Sequence, residues 1–165
     1  MPVALSIEIE DPTLDPDALI EEAETLLDVV GRPGAELSLL FVDDVQMRSL
    51  NRDYRGLDRT TDVLSFSQTE GEGGALILPE GVELLGDVVI SPAKARRQCS
   101  RYHNTFEAEL RRLLVHGVLH LLGYDHVRTA ERAVMRAEER RVLAALRTLR
   151  QDAGPGAQRA REGTG

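Results

Sequence analysis

The stretch "ELRRLLVHGVLHLLGYDH", residues 109–126, constrains this chain more than any other. Leu113, Leu114, Val115, Val118, Leu119, Leu121 and Leu122 fall on nearly every side of a helix, leaving no wide polar face for solvent. Such a helix must be surrounded by the rest of the chain. The 165 residues available supply one core and no second ordinary domain, so a single domain is expected over residues 1–150.

The surroundings can be read in order. "VALSIEIE" alternates with period two and reads as a strand; "DPDALIEEAETLLDVVG" has apolar letters at helical spacing and stops at Gly31. "AELSLLFV" is a second strand, and "DDVQMRSLNRDYRG", acidic at its start, is a short helix running into a turn. "TDVLSFS" is a third strand. The glycine-rich, acidic "QTEGEGGALILPEGVE" reads as a mobile loop with a small hairpin in "ALIL". "LLGDVVIS" is a fourth strand, after which Ser91 and Pro92 form a capped helix opening. Three helical segments follow: "PAKARRQCSRY", the histidine helix, and "TAERAVMRAEERRVLAALRTLR". The tail, residues 151–165, has no apolar face and is expected to be disordered. The fold class is therefore α+β, a mixed sheet of about four strands packed by about five helices around a central metal-binding helix.

Composition excludes several classes. The first residues alternate apolar and acidic without a basic start, so neither a signal peptide nor a membrane span is expected. The single cysteine, Cys99, cannot form an internal disulfide; it reads as a small buried apolar residue in a reducing cytoplasm. Net charge is −8, unevenly spread: residues 1–44 hold twelve acids against one base, Arg32, a balance of −11 that leaves +3 for the remainder. The bases cluster in "KARRQCSRYH". A polyanion could dock on that second half while the acidic first half faces away, which makes Lys94, Arg96, Arg97 and Arg101 candidates for polyanion contact; a solvated basic face is the equal alternative.

His116 and His120 are four apart, about 40° around a helix, and can offer two nitrogens to one ion. Gly123 then ends the helix in the left-handed conformation that brings His126 back toward them. Three imidazoles leave a fourth tetrahedral position open, as in catalytic zinc sites. One zinc per chain is expected on His116, His120 and His126, although three imidazoles also suit nickel, copper or iron. His103 lies outside the pattern and reads as surface. Asp125, beside His126, could accept a ligand's second ring proton or simply cap the turn. Glu109, two turns before His116, could support the site or form an interhelix ion pair. The spacing also fits the H-E-x-x-H-x-x-G-x-x-H signature of zinc peptidases, except that Gly117 stands where their water-activating glutamate belongs. Peptide hydrolysis needs that base, whereas phosphodiester cleavage asks chiefly for positive charge at the phosphoryl oxygens. An arginine near the metal is therefore expected.

Taken together, "LNRDYRGLDRTTDVLSF" (residues 50–66), "LGDVVIS" and "ELRRLLVHGVLHLLGYDH" resemble the YbeY family of bacterial ribosomal-RNA maturation factors over most of residues 37–143. The resemblance implies that His116, His120 and His126 hold a metal, usually taken as zinc. It makes Arg55, the arginine of the "LN-x-x-Y-R" block, a functional residue, assigned here to phosphate binding; pairing with Asp53 or Asp58 is the structural alternative. It further implies a single-strand-specific, metal-dependent endoribonuclease, with Arg55 and His116 catalytic, in small-subunit ribosomal RNA processing, including the 3′ end, and in ribosome quality control. The implied partners are ribosomal RNA, the small subunit and its proteins, and an assembly GTPase. Where the family commonly has proline after "TDVLSF", this chain has Ser67, a change at a strand exit. Two alternatives remain at this point: a zinc metallopeptidase, and a non-catalytic ribosome-assembly factor whose metal is structural.

Overall fold

Period-two segments become strands and 3.6-period segments become helices in the computed structural model, which describes residues 3–67, 76–101, 103–124 and 128–162. The order is β1 (Val3–Ile7), α1 (Pro16–Val29), β2 (Glu36–Phe41), α2 (Asp44–Arg55), β3 (Val63–Ser67), β4 (Leu76–Ile77), β5 (Glu83–Ile90), α3 (Pro92–Cys99), α4 (Phe106–Leu121) and α5 (Thr129–Glu162). Four strands run side by side as β1-β2-β5-β3, and the two-residue β4 pairs with the start of β5 as the "ALIL" hairpin. The sheet is mixed: β1–β2 and β2–β5 are parallel, whereas β3 lies antiparallel to β5 at one edge. Among the described residues no helix is long and apolar enough to cross a membrane.

Capping chemistry sets the helix starts. Asp15, Asp43, Ser91 and Thr105 each accept a backbone N–H from the first turn of the helix they precede, and Asp43 with Gln46 completes a capping box. Alternation along the strands then divides the core into two unequal parts. Leu37, Leu39 and Phe41 of β2, with Val88 and Ile90 of β5, face α1, α4 and α5 in the larger core. Leu64 and Val89 face the opposite way and meet Met47 of α2 in the smaller one.

The histidine helix α4 is central, as its composition requires. Leu113, Val115, Val118, Leu119 and Leu121 are almost wholly buried, each worth roughly 1.5–3 kcal/mol relative to exposure. Gly117 lies where α4 presses hardest on the sheet: a Cβ there would stand 2.7 Å from Val88 Cγ1 and 3.2 Å from Ser65 Oγ. Ser65 Oγ donates to the Gly117 carbonyl at 3.0 Å, fastening β3 to α4. The helix closes as its glycine predicts, with Gly123 at φ 100° and the Tyr124 N–H donating to the Leu119 carbonyl.

Two sequence expectations change. Cys99 is half-buried, not buried, because it ends α3 with its thiol toward the Arg96 carbonyl. The acidic first half does not face away from the basic second half. Asp11 binds Arg96, Asp44 binds Arg97 and Glu22 binds Arg111, because α3 and α4 pack beside elements of the first half. The charge asymmetry seen along the chain is thus largely closed in space.

Candidate functional site

At the open edge of β3, the last turn of α2 on one side and α4 on the other enclose a cleft of about 290 Å³. Its lining includes Asn51, Arg55 and Arg59 from α2 and the loop after it, Asp62 and Ser65 from the β3 segment, and His116 and His120 from α4. A larger groove of about 610 Å³ lies between α1, α4 and α5, but it is mainly apolar and includes no histidine among its described lining residues. Size alone therefore does not mark the site; the convergence of imidazole and guanidinium does.

The two histidines meet as the i, i+4 spacing requires. His116 Nε2 and His120 Nε2 are 3.2 Å apart, with the rings at 74°. Two nitrogens about 2.0–2.1 Å from one tetrahedral zinc would stand about 3.3 Å apart, so the pair fits such an ion. His126 and Asp125 lie outside the described residues. Among the described residues no group of three metal-ligating side chains comes together. Although α4 is buried, His116 is a quarter exposed, since it stands where the helix passes the sheet edge.

A carboxylate fixes the first imidazole. His116 Nδ1 is hydrogen-bonded to Glu139 Oε1 of α5, across the α4–α5 interface. With Nδ1–H donating to Glu139, the Nε2 lone pair is directed at the cleft, the usual arrangement behind a metal-ligating histidine. Glu139 escaped the sequence reading, yet it carries a signal: it interrupts the apolar stripe of Met135, Val142 and Leu146, all buried. Glu109 takes another place. Fully buried, it accepts from Arg112 of its own helix at 2.5 Å and from the Gln98 amide of α3 at 3.3 Å, so its ion pair lies within α4 and not between helices, and only the Gln98 hydrogen bond crosses to α3. That carboxylate holds the Arg112 guanidinium above its ordinary pKa, chiefly by hydrogen bonding.

Arg55 reaches the same cleft as the two histidines. It is exposed and lines the cleft; among the described residues it forms no ion pair, with neither Asp53 nor Asp58. Those two acids instead take Arg52 and Arg48. Arg59, unremarked in the sequence reading, is its counterpart across the loop, also exposed and unpaired among the described residues. Its position is set by Asn51, a buried amide whose Nδ2 donates to the Arg59 carbonyl at 2.9 Å. The cluster Lys94, Arg96, Arg97 and Arg101 lies on and just after α3, and none of it lines this cleft. Arg96 is bound to Asp11 at 2.9 Å and stacked 3.8 Å from the Phe106 ring centroid; Arg97 is bound to Asp44 at 2.9 Å. His103 is exposed, as expected.

A side chain at Gly117 would press on Val88 and come within 3.2 Å of Ser65 Oγ, so the contact of helix with sheet leaves it no room. The letter that departs from the peptidase signature is therefore set by packing of helix on sheet.

Comparison with known proteins matches residues 6–147 to the model of the family described as endoribonuclease YbeY. The chain belongs to the YbeY family. Curated family members named endoribonuclease YbeY include one from Desulforamulus reducens, 50% identical over 117 residues that cover 69% of this chain and 74% of the relative. Another, from Geobacillus thermodenitrificans, is 47% identical over 129 residues, 77% and 81% of the two chains. The solution structure of TM1509 from Thermotoga maritima superposes with a TM-score of 0.55 at 24% identity, covering 93% of this chain and 98% of that one, and shares the fold. The YbeY resemblance first carried by the short blocks thus extends over nearly the whole α+β body.

Proposed function

We propose that this YbeY-family protein is a metal-dependent endoribonuclease for single-stranded RNA, acting in the cytoplasm on small-subunit ribosomal RNA, including its 3′ end, and in ribosome quality control. The carrying observation is the convergence, in one cleft, of two imidazoles whose Nε2 atoms are 3.2 Å apart with an arginine free of ion pairs among the described residues. The small subunit, its proteins and an assembly GTPase are the partners such a role requires.

His116, His120 and His126 would hold one zinc. When bound, the ion supplies positive charge at the phosphoryl group and acidifies water. The chain's own groups do the rest. Glu139 keeps the His116 proton on Nδ1 and the ring in place. Arg55 and Arg59 neutralise the phosphodiester from the opposite wall, where no carboxylate of the described residues takes their charge. The peptidase alternative loses support, because position 117 holds glycine and a side chain there would press on Val88, with its Cβ 2.7 Å from Val88 Cγ1.

The test is metal content and RNA cleavage measured side by side on wild type, His120→Ala and Arg55→Ala. The expected outcome is about one zinc per wild-type chain, metal and activity both lost in His120→Ala, and metal retained with activity reduced about 100-fold in Arg55→Ala. Unfolding of His120→Ala, together with ribosome binding but no cleavage by wild type, would favour the structural-metal assembly factor.

A further inference from the structure

Tyr54 directly precedes Arg55 in the last turn of α2, and it is 69% exposed. Singly exposed aromatic residues are ordinary, but this ring is braced. Its centroid lies 5.0 Å from that of Phe66, at an interplanar angle of 60°, and Phe66 packs on the smaller core beneath α2. One side of Tyr54 is thereby held by the body of the protein while the rest of the ring is open to solvent. Phe66 continues the same edge strand whose residues Val63, Leu64 and Ser65 line the cleft, so the ring stands at the cleft's end.

A fixed, solvent-open ring beside two guanidinium groups without an ion pair among the described residues matches one ligand chemistry well: an unpaired nucleobase whose backbone phosphate is held by Arg55 or Arg59. A base within a duplex is already stacked on both faces and has none to offer. A peptide segment would cover the ring but gain little from the arginines unless it were acidic, and the acidic side chains that would meet the arginines have no aromatic face to stack. We propose that Tyr54, braced on Phe66, is a stacking platform for an unpaired base next to the phosphate bound in the cleft, and so a determinant of single-strand preference. This rests on the endoribonuclease reading and names the part of the substrate that is recognised.

The test uses the full chain and three ligands: a single-stranded deoxyoligonucleotide carrying 2-aminopurine, read by fluorescence quenching; an oligonucleotide of the same length made of abasic residues; and single-stranded RNA for KM and kcat. Tyr54→Phe is expected to preserve quenching and KM. Tyr54→Leu keeps an apolar side chain at an exposed position and should fold; it is expected to bind the base-bearing strand about tenfold more weakly. KM should rise in proportion, kcat should stay within about twofold, and affinity for the abasic strand should not change. Quenching absent in wild type, quenching retained in Tyr54→Leu, or equal weakening toward the abasic strand would overturn the platform. If quenching depends on Tyr54 but wild type cuts no RNA, the platform stands and the nuclease reading falls. If RNA is cut and quenching is indifferent to Tyr54, the platform alone falls.

Discussion

The arginines of α3 and α4 and the arginines of the cleft teach opposite lessons. Arg96, Arg97, Arg111 and Arg112 each lie against a carboxylate; the first three thereby bind the two halves of the chain together, and Arg112 neutralises the buried Glu109 within α4. Arg55 and Arg59 have no such partner among the described residues and face the imidazoles across a cleft. The dense cluster is architecture, and the sparse pair is the one the proposed function assigns to the substrate. Charge density along a sequence therefore misleads wherever the fold supplies the counter-charge.

This contrast can be broken most severely at Arg112. Replacing it by alanine strands the fully buried Glu109 carboxylate, and a buried charge without its partner costs about 3 kcal/mol. Urea unfolding of Arg112→Ala should show that loss; a change below about 1 kcal/mol would mean that the pair is not structural. The contrast sharpens on the catalytic side. The roughly 100-fold loss expected for Arg55→Ala should not be matched by Arg96→Ala or Arg97→Ala, whose kcat/KM should stay within about threefold of wild type. A comparable fall in Arg97→Ala would move the substrate path onto α3.

The smallest effect concerns Asp44, which joins α2 to α3 by accepting from Arg97, from Ser91 Oγ at 3.0 Å and from Thr60 Oγ1 at 3.3 Å. The Arg97 hydrogen bond, foremost, holds its carboxyl below the ordinary value of 3.8. A carboxylate with a depressed folded-state pKa stabilises above its unfolded value and loses that contribution as pH falls through the folded one. Asp44→Asn should accordingly cost about 1 kcal/mol near neutrality, discounted for exposure. The gap from wild type should close below pH 3.8, which thermal melts across pH would show.

Local patterns were legible, and long-range partnerships were not. The all-round apolar helix, the i, i+4 histidines, the Ser91 cap and the turn at Gly123 follow from periodicity and cap chemistry within a few residues. Glu139 was missed although it stands in an apolar stripe, because a lone acid on a long charged helix is invisible until α5 is docked on α4. Arg59 was missed for a related reason: it needs the Asn51 amide to hold its loop, and nothing in "GLDRTT" reveals that bond. In sequence the basic cluster fits a docking face and a solvated face equally, because its acids are distant, 85 residues away in the case of Asp11 and Arg96.

The closeness of α4 to the sheet at Gly117 has a consequence for how such chains can diverge. Changing one letter would complete a peptidase signature on paper, yet that letter points into the Val88 side chain. Reaching the other chemistry would require moving Val88 aside or lifting the helix from the sheet, and with the helix the Ser65 bond and the position of both histidines. Two motifs that differ by one residue are thus separated by a shift of Val88 or of the helix itself, so the change of letter is not local to the cleft.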